Sequence, residues 1–132
     1  MPRRTILEVP GIAHQAPIPQ AVSIGGLVFS SAIFGADPAT GEIPPDADRQ
    51  AELVFAHVRT LLEQAGGGPE AIAKMTFYVS DDAHRDSVNR EWLAMFPAAG
   101  DRPARHIIRT ELRRGMLVLC EFTAVLEERD GR

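Results

Sequence analysis

Arg105 stands in Pro103-Ala104-Arg105-His106-Ile107-Ile108, at the start of a strongly apolar stretch. Strands seldom keep a lone guanidinium on a buried face, because an unpaired charge there is costly. A planar fork of N–H groups in such a place suits a carboxylate, held through two parallel hydrogen bonds. A surface Arg at a strand end is the plain alternative. Glu121 is the other charge in apolar company: it shares a strand face with Leu117, Leu119, Thr123 and Val125, and it wants a partner. His14, His57, His84 and His106 fall at no metal-ligand spacing, and only one cysteine, Cys120, is present. Cys120 lies on an all-apolar strand face, as inert core rather than a nucleophile. Neither a metal nor a cofactor is expected.

The elements that must position these residues follow from periodicity. A short strand is expected around Ile6-Leu7-Glu8-Val9, followed by a proline-rich arm. Gln20 to Ile24 and Leu27 to Ile33 are apolar, β-branched runs joined by Gly25-Gly26, a two-residue hairpin signal. Turn residues fill Asp37-Pro38-Ala39-Thr40-Gly41-Glu42. Ala51, Val54, Val58, Leu61, Leu62 and Ala65 recur at helical spacing, which predicts a helix over about 46–65 stopped by Gly66-Gly67-Gly68. Ile72 to Val79 alternates as a strand, with Met75, Phe77 and Val79 on one face. A second helix is expected over about 83–96, with Asp82 as its cap, Val88, Trp92, Met95 and Phe96 inward, and Pro97 as its stop. Strands over Arg105–Thr110 and Met116–Leu126 complete the chain. The order β-β-β-α-β-α-β-β gives an α+β fold, a mixed sheet with two helices packed on one face. Both faces of the last strand are apolar. Helices can cover one, and the other calls for a second subunit.

At 132 residues the chain is read as a single domain, 1–132, able to bury a core without staples. A net charge of −4 argues against bulk nucleic-acid binding, although Arg102, Arg105, Arg109, Arg113 and Arg114 cluster late in the chain. No apolar run reaches the ~18 residues of a membrane span. One cysteine fits a reducing compartment, and a cytoplasmic location is expected.

Several segments resemble the YjgF/RidA family (reactive intermediate deaminases, also called endoribonuclease L-PSP) from about residue 14 to residue 126. Ala16-Pro17-Ile18-Pro19-Gln20-Ala21-Val22 is similar to the family's Gly-Pro-Tyr-Ser-Gln-Ala-Val. Leu27-Val28-Phe29-Ser30-Ser31 resembles its first core strand, and Asp37 to Glu42 its Asp-Pro-Ala-Thr-Gly loop. Ser87-Val88-Asn89 resembles the Val-Asn of its second helix, and Arg102-Pro103-Ala104-Arg105 its Pro-Ala-Arg. The resemblance implies a chorismate-mutase-like homotrimer whose clefts are lined by two neighbouring subunits. It also implies hydrolysis of enamines or imines to 2-keto acids and ammonia. By position, Arg105 matches the carboxylate-binding Arg, Ser31 a cleft-lining Ser and Asn89 the helix Asn. The plain readings are a backbone-bonded strand hydroxyl for Ser31 and an exposed or capping amide for Asn89.

The departures are as informative. Ile18 replaces a cleft Tyr, Ala32-Ile33 replaces Gly-Gln, and Ile107 replaces a Cys or small residue, so these three isoleucines are expected to line a more apolar cleft. His106 stands where the family has Ser. Leu119 takes the place of the Glu that positions or activates water. Glu121 matches a second acidic position, with a salt bridge to Arg109 or to a neighbouring subunit as its plain reading. The expected function is an imine or enamine deaminase acting on a small carboxylate-bearing metabolite, with Arg105 and Glu121 as catalytic candidates. The alternatives are a non-catalytic carboxylate-binding trimer and, third, an RNA-directed ribonuclease.

Overall fold

A computed structural model describes residues 3–12, 14 and 16–127. Its strands are β1 (Thr5–Leu7), β2 (Ala21–Ile24), β3 (Leu27–Ser30), β4 (Ile33–Phe34), β5 (Ile72–Val79), β6 (Ala104–Arg109) and β7 (Val118–Val125). Helix α1 spans Ala47–Gln64 and α2 spans Arg85–Met95. The sheet runs β1-β2-β3-β7-β5-β6, with β4 also paired to β7. Among the described strands the β5–β6 pair alone is parallel; the other pairs are antiparallel. This is the expected mixed sheet with two helices.

Local chemistry explains the boundaries. Gly25 and Gly26 both take positive φ, +56° and +84°, and close the β2–β3 hairpin as a primed turn. Asp46 caps α1 by accepting from the Asp48 N–H. At the head of α2 the capping acid is Asp81, which accepts from the Ala83 N–H. Asp82, the residue expected there, enters a 3₁₀ turn and pairs with arginines instead. The expected strand over Leu27–Ile33 is broken in two. Ser31 donates its N–H to Gln20 O and its hydroxyl to Pro19 O, so the chain bends before Ile33 re-enters beside Cys120.

Register assigns the faces. Val28, Met75, Phe77, Val118, Cys120, Phe122 and Ala124 meet the helices and are buried. Phe55 of α1 stacks on Phe77, ring centroids 5.4 Å apart, and Trp92 of α2 meets Phe77 edge-on. Among the described residues the opposite face has no such cover. Ile6, Leu27, Phe29 and Val125 lie there, in register through β1, β2, β3 and β7, and are 37–56% exposed.

Candidate active site

Arg105 lies in register with Met75, so it projects to the helix-covered side of the sheet. There it meets α2. Its Nη1 donates to Asn89 Oδ1 at 2.8 Å, and its guanidinium carbon sits 4.8 Å from the centroid of the Trp92 ring. Trp92 is itself fixed, packed edge-on against Phe96 at 4.7 Å and 7% exposed. Stacking and one amide bond therefore orient the fork, leaving the rest of its five N–H groups for a ligand. Desolvation, then the nearby charge of Arg85, holds the Arg105 pKa below the usual guanidinium range. The residue still carries its proton at any physiological pH. Among the described strands β6 pairs only with β5, so Arg105 also stands beside an open edge of that sheet.

Glu121 is on the other face. Its register partner is Thr76, while Met75, next along β5, pairs with Arg105. Strand pleating therefore sends the Arg105 and Glu121 side chains to opposite sides. The two catalytic candidates do not meet within one chain. Glu121 Oε1 accepts from the Tyr78 hydroxyl at 2.9 Å, and this bond is the main cause that raises the phenol pKa. Lys74, Thr76 and Phe29 line the same shallow depression, about 340 Å³. Arg109, the other suggested partner of Glu121, pairs with Asp82 at 3.4 Å.

The remaining candidates divide. Asn89 is the acceptor for Arg105, neither free nor a cap. Ser31 spends its hydroxyl on Pro19 O at 2.8 Å, the backbone-bonded reading. Ile18 is 47% exposed in the arm. Ile33 and Ile107 are core residues, 5% and 9% exposed, so neither presents an apolar wall to a cleft in the chain as folded. Leu119 lines a separate hollow of about 340 Å³ with His14, Phe34, Met116 and Arg113. Cys120 is fully buried, and burial pushes its thiol pKa well up, as expected of inert core.

Sequence reasoning missed three participants. Trp92 was visible only as a core position, yet its outer face carries Arg105. Tyr78 was visible only as an outward strand residue. Arg85 stands four residues before Asn89, a spacing that places both on one face of α2.

The profile of the Endoribonuclease L-PSP family matches residues 11–126. A RutC family protein of Aquifex aeolicus is 32% identical over 117 residues, covering 84% of this chain and 94% of its own. The 2-iminobutanoate/2-iminopropanoate deaminase of Escherichia coli K12 is 31% identical over 93 residues, 70% of this chain and 73% of its own. The crystal structure of E. coli TdcF with bound serine superposes with a TM-score of 0.80 at 28% identity, covering 93% of this chain and 99% of that one.

Proposed function

Because the chain belongs to the Endoribonuclease L-PSP family, also called YjgF/RidA, we propose that it is an imine or enamine deaminase for small carboxylate-bearing substrates. The observation that carries this reading is the Arg105 fork, stacked on Trp92 and tied to Asn89 at an open sheet edge. The name of the E. coli deaminase and the serine in the TdcF crystal support the same substrate class. The site is a cleft between adjacent subunits of a homotrimer, formed where β6 of one subunit meets its neighbour. The uncovered apolar face supports that assembly.

In this mechanism Arg105 holds the substrate carboxylate, which fixes C2 of the imine toward a water. The water oxygen bonds to C2, the C=N electron pair moves to nitrogen, and nitrogen takes up the proton that water loses. The carbinolamine then loses its hydroxyl proton to the nitrogen as the C–N bond breaks. Ammonia and a 2-keto acid leave, and the protein is unchanged.

A second reading, a carboxylate-binding trimer without turnover, is favoured by two observations. Leu119 supplies no acid, and Glu121 faces away from Arg105, bonded to Tyr78. Imino acids generated by an amino-acid oxidase and trapped with semicarbazide separate the readings. Keto-acid release accelerated over buffer, and lost in Arg105→Ala, is the expected result. A 2-ketobutyrate-dependent thermal shift without turnover establishes the binding reading instead. The ribonuclease reading loses support from the arginines themselves: Arg102 donates to Phe96 O and Pro97 O, and Arg109 is paired with Asp82.

A further inference from the structure

The surface beside Arg105 is richer in positive charge than one carboxylate requires. Arg85, Asn89 and Trp92 fall at i, i+4 and i+7 on α2 and form one stripe. The lower two members of that stripe hold Arg105. Arg85 is one helical turn from Asn89, and its charge is felt at Arg105. On β6, Arg109 shares a face with Arg105 four residues away. Asp82 links the outer pair, with Oδ1 taking Arg85 Nε at 3.3 Å and Oδ2 taking Arg109 Nη1 at 3.4 Å. Two guanidiniums thus share one carboxylate, and Arg105 stands on the same face of the sheet, bonded to Asn89 instead.

The bond to Asp82 engages Nε of Arg85, so the two terminal nitrogens of this half-exposed side chain stay available. Asp82 already joins Arg85 to Arg109, but no carboxylate bridges Arg85 to Arg105, whose charged form the Arg85 charge disfavours. An apolar substrate leaves that repulsion in place. An anion bridging from Arg105 to Arg85 relieves it. Of the three isoleucines that suggested apolar specificity, Ile33 and Ile107 are in the core and only Ile18 is exposed.

We infer that Arg85 is a specificity residue: with Arg105 gripping the 2-carboxylate, it selects substrates that carry a second carboxylate on the side chain, the imino acids of acidic amino acids. This rests on the reading of Arg105 as the carboxylate clamp, not on turnover. The test therefore begins with binding. Calorimetric affinities of the intact protein are compared for 2-oxoglutarate and 2-oxopentanoate, five-carbon acids that differ in the terminal carboxylate.

The expected result is a preference for 2-oxoglutarate of about threefold to fivefold, weakened by salt, as a partly exposed charge pair should be. Arg85→Gln collapses the preference toward one, and Arg85→Lys restores part of it. Equal affinities in the unaltered protein, or a preference that survives Arg85→Gln, overturn the inference. The imines made from glutamate and norvaline repeat the comparison as kcat/KM. Dicarboxylate preference in binding without turnover of either imine sinks the deaminase reading and leaves this one standing. Turnover of both at equal kcat/KM does the reverse.

Discussion

A guanidinium has little intrinsic reason to adopt one orientation, and Arg105 is given one by its neighbours. The indole of Trp92 supplies a flat, electron-rich platform, and Asn89 fixes rotation about the stacking axis. The same principle, polar atoms fixed by a buried partner, governs His57. Its Nε2 donates to Ala36 O at 2.7 Å, and burial is the main cause that lowers its pKa, opposed by the Ala36 bond and by Asp37. A depressed pKa means that the unfolded chain takes up the proton first as pH falls. Stability is therefore full above the ordinary imidazole value of 6.5 and is lost as pH drops through the lower, folded value. Urea midpoints between about pH 7.5 and about pH 5 should fall, and the fall should shrink in His57→Gln. Equal slopes for both proteins refute the assignment. At this scale the sequence was legible where a residue's chemistry was distinctive. Arg105 and Asn89, each singled out by position, prove to be hydrogen-bonded to one another. Glu121, Ile33 and Ile107 were harder, because which way a strand residue points depends on register with strands far away in the chain.

Elements are held in place by a few polar anchors that patterning does not reveal. Gln50 of α1 is fully buried. Its Nε2 donates to Pro44 O at 2.7 Å and to Gly115 O at 3.0 Å, and its Oε1 accepts from the Leu117 N–H at 2.8 Å. One side chain thus ties the helix to the turn that carries Arg113 and leads into β7. Gln50→Leu strips partners from two carbonyls and an N–H, and is expected to destabilise the protein by about 3 kcal/mol. A chemical-denaturation midpoint within error of the parent refutes this. The close approach depends on Gly35, where a Cβ would stand 2.4 Å from Gln50 O. Hydrophobic periodicity located both helices and most strands to within a few residues. It missed the break at Ser31 because Leu27 to Ile33 reads as one apolar run. Its interruption is made by hydrogen bonds to Pro19 and Gln20, which no local pattern announces. The cap at Asp81 was missed for a related reason: two adjacent aspartates offer the same chemistry, and only the backbone chooses between them.

For the whole molecule, the two sides of the sheet tell different stories. One is sealed by aromatic packing; the other shows Ile6, Leu27, Phe29 and Val125 to solvent in a single chain. The proposed homotrimer covers that side. Phe29→Glu puts a carboxylate beside Glu121 in the same depression, and is expected to reduce the light-scattering mass from three chains to one. An unaltered mass in that variant, or a parent protein of one chain, rejects the assembly.

The place of β7 in the sheet has a consequence for how the polypeptide is made. It follows every other described strand along the chain, yet it lies between β3 and β5 and joins them. Until it leaves the ribosome, the β1–β3 meander and the α1–β5–α2–β6 segment share no ladder. Closure links residues as far apart as Leu27 and Val125, so it bears a large loop-closure entropy. Until then the two segments are tied by bonds such as those between Gln64 and the Glu8 backbone, but the sheet between them is unsealed, an interval open to chaperone capture.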